Sequence, residues 1–126
     1  MLDHICINVS DYDRSRQFYI HAFSPLGIDV TLEVTAQQTG ARPACGFGSD
    51  GRVYFWILPG PVAKVHVAFT AQSRRDVDSF YKMALAAGGR DNGPPGTRAH
   101  YGPHYYGAFI LDPDGHNIEA VCRLPG

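Results

Sequence analysis

The feature that most constrains this chain is an internal repeat. Laid over itself so that His4 falls on His66, the sequence also brings Phe18-Tyr19 onto Phe80-Tyr81, Ala22 onto Ala84 and Gly27 onto Gly89. The physical patterning repeats with the identities. Residues 2–9 and 64–71 both alternate like half-buried strands: Ile5, Ile7 and Val9 against His4, Cys6 and Asn8, then Val65, Val67 and Phe69 against His66, Ala68 and Thr70. A helix follows each strand. The first is expected near Asp13–Phe23, capped by Ser10 or Asp11. The second is expected near Arg74–Ala87, capped by Ser73 with Asp76 three residues on. Both stop at glycine, Gly27 and Gly88-Gly89. Asp-Gly pairs then mark hairpins, Asp50-Gly51 before the strand 53–58 and Asp114-Gly115 before the strand 116–122.

Each unit therefore reads as strand, helix and about three antiparallel strands. The first covers roughly 1–60 and the second roughly 61–126. Pro59-Gly60-Pro61 is a join too short to be a flexible linker. The expected fold class is α+β: paired βαβββ units, eight strands in a curved mixed sheet that forms a cup, all within one domain. At 126 residues, 44% hydrophobic and 18% charged, the chain can bury such a core.

Composition narrows the function. The net charge is −1 and the arginines are scattered in small groups, so no basic stripe marks a nucleic-acid surface. No apolar run approaches the roughly 20 residues that span a bilayer. The N-terminus shows no basic and apolar signal segment, and the expected location is the cytoplasm. Three cysteines without CxxC spacing argue against a disulfide framework and against a cysteine-rich zinc site.

Strand phase carries the functional argument. Where Ile5, Ile7 and Val9 face a helix, His4 faces the cup, and by the same alternation so does His66. In the last strand Ile118, Ala120 and Cys122 form the apolar set, and Glu119 lies opposite them. A carboxylate inside a sheet cup needs a partner, a metal or a proton. Two imidazoles and a carboxylate with open positions left over suit a divalent metal that binds substrate directly. Taken singly, a strand histidine is more often a satisfied core residue or simply exposed, and a strand glutamate is usually just solvated; the repeat-related pair His4 and His66, both out of phase with the apolar face, brings the metal reading level with the structural one.

The segments "LDHICINVSDYDRSRQFY" and "DPDGHNIEAV", together with a histidine on each first strand, resemble the vicinal oxygen chelate superfamily over essentially the whole chain. That superfamily includes glyoxalase I, extradiol dioxygenases, fosfomycin-resistance thiol transferases and bleomycin-resistance proteins. The resemblance implies metal ligands at His4, His66 and Glu119 and a divalent ion such as Fe, Mn, Zn or Ni. It also implies a homodimer, and in some members of the superfamily units from different chains share one cup, so that the three ligands come either from one chain or from two. Glyoxalase I has a further glutamate ligand in its first unit. Aligning the two Asp-Gly pairs puts Phe55 opposite Glu119, with Trp56 beside it and no carboxylate near. Phe55 is therefore expected to line the cavity. A three-ligand site is closer to the dioxygenase and fosfomycin-transferase branches.

Residues 91–107, DNGPPGTRAHYGPHYYG, read as a long loop of the kind that forms lids. Arg98 would hold a carboxylate or phosphate, and Tyr101 and Tyr106 would contact substrate with Phe55 and Trp56. His100, His104 and Tyr105 are the candidate bases. A structural alternative is that these aromatics cover a sheet end or a dimer contact. His21 on a helix and His116 in a turn are expected to face solvent. The leading expectation is a metal-dependent lyase, thiol transferase or dioxygenase acting on a small oxygenated substrate. The alternative is a metal-free drug-binding protein of the bleomycin-resistance type.

Overall fold

A computed structural model describes residues 1–126. The first unit runs β1 (Ile5–Val9), α1 (Tyr12–Phe23), β2 (Asp29–Val34), the short α2 (Ala36–Thr39), β3 (Ala44–Ser49) and β4 (Arg52–Pro59). The second runs β5 (His66–Thr70), α3 (Arg74–Ala86), β6 (Arg90–Thr97), β7 (Tyr106–Leu111) and β8 (Asn117–Cys122). No helix is long and apolar enough to cross a membrane.

The repeat is reproduced in the topology. One sheet has the order β1-β4-β3-β2 and the other β5-β8-β7-β6. In each, the first strand pairs in parallel with the last, and the remaining ladders are antiparallel. The expected paired βαβββ units are present as two mixed four-stranded sheets, one edged by β1 and β2 and the other by β5 and β6.

The strand alternation sets the core. Ile7, Val9, Phe55 and Ile57 are buried on the helix side of the first sheet, and Phe69, Ile110, Ile118 and Ala120 on that of the second. The two sets merge. Phe69 of β5 lies 4.7 Å ring to ring from Phe23 of α1 and 5.3 Å from Phe55 of β4. Helices α1 and α3 pack on each other beside it. Asp11 caps α1 by accepting from Arg14 N–H at 3.1 Å, and Ser73 caps α3 by accepting from Asp76 N–H at 3.1 Å.

The Asp112-Pro-Asp-Gly-His116 loop clasps the units together. Asp112 is buried; it accepts from the backbone N–H groups of Asp114 and His116, each at 2.9 Å, and from the Tyr19 hydroxyl of α1 at 2.5 Å. Asp114 accepts from the N–H and the hydroxyl of Ser10. His116, expected in solvent, is fully buried. Its Nε2 donates to the Asn8 carbonyl at 2.9 Å and its Nδ1 accepts from Val65 N–H at 3.2 Å. Both ring nitrogens are thus used by backbone groups of the two first strands' surroundings, which fixes a neutral imidazole with the proton on Nε2.

The expected long loop is partly strand. β6 uses residues through Thr97 and pairs with β7, with bulges around Gly93 and Gly96. Pro94 and Pro95 are tolerated because β6 is an edge strand. What remains is a short flap, residues 98–105, closed by Arg98 N–H donating to the Tyr105 carbonyl at 2.8 Å.

Candidate functional site

The open face of the second sheet, opposite α3, is where polar residues gather. Along β8 the set Asn117, Glu119 and Val121 alternates with the core set Ile118, Ala120 and Cys122. Glu119 pairs with Ala68 of β5 on one side and Phe109 of β7 on the other. His66 is two residues before Ala68 and shares its face. The result is that His66 Nε2 lies 2.9 Å from Glu119 Oε1. Glu119 is only 2% exposed, whereas the His66 side chain is about half exposed. The carboxylate's other oxygen accepts from the Tyr105 hydroxyl. Gly107 makes room for this pairing: a Cβ there would stand 3.2 Å from the Tyr105 ring and 3.4 Å from Glu119 Oε2.

These residues line a cavity of about 320 Å³ with Tyr101, Phe109 and Arg123. The Arg123 guanidinium lies 4.8 Å over the Tyr105 ring. Burial, and next the bond to Glu119, push the Tyr105 phenol up to about 12. Tyr105 therefore stays protonated at neutral pH. Its hydroxyl donates to Glu119.

A neighbouring cavity of about 290 Å³ shares Tyr101 and Phe109 with the first and adds Asn92, Gly93, Arg98, His100 and Asn117. Phe109 is the wall between them. Its ring is 6.1 Å from the His66 ring on one side and 5.5 Å from the Arg98 guanidinium carbon on the other.

Other expected residues lie elsewhere. His4 precedes β1 and is exposed, with Nδ1 2.7 Å from Asp3 Oδ1. No three metal-binding side chains converge within one chain; the expected meeting of His4 with His66 and Glu119 does not occur inside a single copy. Phe55 is fully buried beneath α1, on the helix side of its sheet, and lines no cavity. Trp56 holds the position equivalent to Glu119: Trp56 pairs with Cys6 as Glu119 pairs with Ala68. The two hairpins differ in length. Asp50 and Gly51, at φ 54° and 75°, make a two-residue turn between Ser49 and Arg52, whereas five residues separate the paired Leu111 and Asn117. Matching the two Asp-Gly pairs therefore shifts the register by one and flips the face. His104 is exposed and lines neither cavity. Tyr106 points to the helix side, donating to Asp78 of α3 at 2.6 Å under the Arg74 guanidinium, so it is a packing residue and does not contact the site. Arg123 is not among the expected site residues, and Asn117 is expected only to share the face of Glu119. Their signal was the same alternation that places Glu119.

The model of the Glyoxalase/Bleomycin resistance protein/Dioxygenase superfamily matches residues 1–120. The chain belongs to this superfamily. A glyoxalase/bleomycin resistance protein from Albidiferax ferrireducens T118 is 27% identical, with a TM-score of 0.80 over 98% of this chain and 99% of that one. The fosfomycin resistance protein FosX from Listeria monocytogenes, solved as a variant with Mn(II) and 1S,2S-dihydroxypropylphosphonic acid, is 21% identical. Its TM-score is 0.69 over 96% of this chain and 90% of that one. Glyoxalase I from Zea mays is 19% identical, with a TM-score of 0.70 over 96% of this chain and 45% of that one. The last two likenesses show the fold alone. No curated protein matches the sequence. Within the superfamily fold, the resemblance in "DPDGHNIEAV" divides into two roles. Asp112, Asp114 and His116 hold the units together, and Asn117 and Glu119 face the open side.

Proposed function

We propose that this superfamily member is a divalent-metal-dependent enzyme. It acts on a small oxygenated substrate as a lyase, thiol transferase or dioxygenase. His66 and Glu119 would hold the ion, and His4 of the partner subunit in a homodimer would supply the third ligand. The observation that carries the reading is the 2.9 Å approach of His66 Nε2 to a buried Glu119 oxygen at the base of an open cavity. Two donors bonded to one ion at about 2.0–2.2 Å stand roughly 3 Å apart when they subtend a right angle, so this donor pair fits a divalent metal. Every residue lining that cavity comes from the second unit, which leaves one side for another copy to complete. A bound divalent ion supplies Lewis-acid stabilisation of charge developing on two neighbouring substrate oxygens. The chain's own residues do the rest. Tyr105 would orient Glu119, and His100, at the flap in the neighbouring cavity, would carry a proton.

The second reading, a metal-free binding protein of the bleomycin-resistance type, draws on one observation. Trp56, an aromatic, stands where a further ligand would be. Elemental analysis of protein purified without added metal separates the two. The proposal expects close to one divalent ion per chain, lost in Glu119→Ala with the fold retained. A metal-free wild type that cannot be loaded would favour the aromatic binding cleft.

A further inference from the structure

β1 and β5 are edge strands of different sheets, and between them a cavity of about 420 Å³ opens at the seam of the two units. It shares no lining residue with the two cavities described above. Ile5 and Val67 belong to the core-facing sets of their strands, yet both are only partly buried, because no strand closes the gap beside them. Leu26, Ile28 and Phe69 complete an apolar floor that is continuous with the core. An uncovered apolar floor of this kind favours a ligand with an apolar body.

The mouth is polar and rich in donors. Arg52 forms no salt bridge. Its Nη2 donates to the carbonyls of Leu2 and Asp3, each at 3.1 Å, and its guanidinium carbon lies 5.7 Å from the centre of the Tyr54 ring. Those contacts hold the guanidinium in place and leave Nε and Nη1 for a ligand. The Ser49 and Tyr54 hydroxyls are 3.0 Å apart. One donates to the other, so one hydroxyl hydrogen remains to be donated. Asp3 is the one carboxylate in the lining. Its side chain is 85% exposed and engaged with His4 at 2.7 Å, so water and salt screen its charge.

We propose that this seam cavity binds a small apolar monocarboxylate. Its body packs on Ile28, Val67 and Phe69, and its acid group accepts from Arg52 and from the Ser49–Tyr54 hydroxyl pair. A carboxylate matches the mouth because it only accepts, and the mouth offers donors. The ligand touches both units at once, so it stabilises their packing on each other as its concentration rises. The site is distinct from the His66–Glu119 pair and does not rest on the metal reading.

The test is titration of hydrocinnamate, its amide and acetate into chelator-treated, isotope-labelled protein, read by calorimetry and by backbone amide resonances. Removing metal first keeps the acid from binding an ion instead. Hydrocinnamate is expected to bind about tenfold tighter than its amide, through charge-assisted hydrogen bonds, and acetate not to bind measurably. The resonances that shift should be those of Ser49, Arg52 and residues 67–70, which line the cavity. Arg52→Gln is expected to bring acid and amide to equal affinity. Thr70→Trp, at the exposed rim, is expected to block both. Shifts confined to the flap, no binding of hydrocinnamate, or a preference that survives in Arg52→Gln would overturn the site. A second copy of the chain seated in the cavity would appear as the second of these results. If Arg52→Gln does not fold, the wild-type shifts and Thr70→Trp decide, and binding that persists in Thr70→Trp overturns the proposal.

Discussion

The two units share a topology and differ on their open faces. In the second, β5 and β8 bring His66 and a buried Glu119 within 2.9 Å, with Tyr105 donating to the carboxylate. In the first, the corresponding register position holds Trp56 beside Cys6, and His4 is exposed against Asp3. The helix-side faces remain alike: Ile7, Val9, Phe55 and Ile57 in one, Phe69, Ile110, Ile118 and Ala120 in the other. Burial constrains the helix-side positions in both units, because each must fill a packed core. The open-face positions are free of that demand, so one unit can carry chemistry while the other carries an aromatic surface. The repeat thus duplicates a scaffold and not a site.

The largest effect should separate Glu119 from Trp56. Glu119→Ala or His66→Ala is expected to reduce bound divalent metal at least tenfold, whereas Trp56→Ala leaves it unchanged; elemental analysis reads both. Equal loss from both positions would break the distinction between the units.

The hairpins differ in what they hold. Asp112 accepts three hydrogen bonds within the inter-unit clasp, so Asp112→Ala should lower unfolding stability by about 2–4 kcal/mol, through donors left unpaired. Asp50 sits in an exposed turn at φ 54°. Asp50→Ala should cost only about 0.5–1 kcal/mol. Urea melts of the two variants test the contrast, and similar midpoints would contradict the clasp.

A smaller effect concerns alkaline pH. Tyr105 in the second unit and Tyr12 in the first are both pushed up to about 12, chiefly by burial. Their folded-state values lie above the ordinary value of 10, so the stability they contribute is fully present below pH 10. It is lost as pH rises from there through 12. In denaturant melts between pH 8 and 11.5, Tyr105→Phe should lessen the decline above pH 10. An undiminished slope would show that Tyr105 does not titrate with unfolding.

The fold was legible because hydrophobic alternation, caps and Asp-Gly turns repeat in order. The pairing of His66 with Glu119 was legible for the same reason, since strand phase assigns faces directly. Three features escaped. Phe55 was placed on the wrong face because hairpin length, and not the Asp-Gly pair, sets register. His116 looked like a turn residue; its burial depends on Asn8 and Val65, which are distant in sequence or belong to another strand. Residues 91–97 looked like loop because glycine and proline mask an edge strand whose only ladder is to β7. In each case a long-range contact outweighs the local signal. His4 belongs to a different class: it has the right strand phase, yet no intrachain partner at the site.

The central claim, that one copy's His66 and Glu119 form a metal centre completed by His4 of the partner subunit, is tested most directly by subunit mixing. His4→Ala and Glu119→Ala chains are each expected to hold little metal alone. Unfolded together in equal amounts and refolded with the metal ion, they form mixed dimers in which one of the two cups has all three ligands. The account predicts that metal content in the mixture recovers to about a quarter of the wild-type level per chain. A mixture that binds no more metal than the separate variants would contradict it.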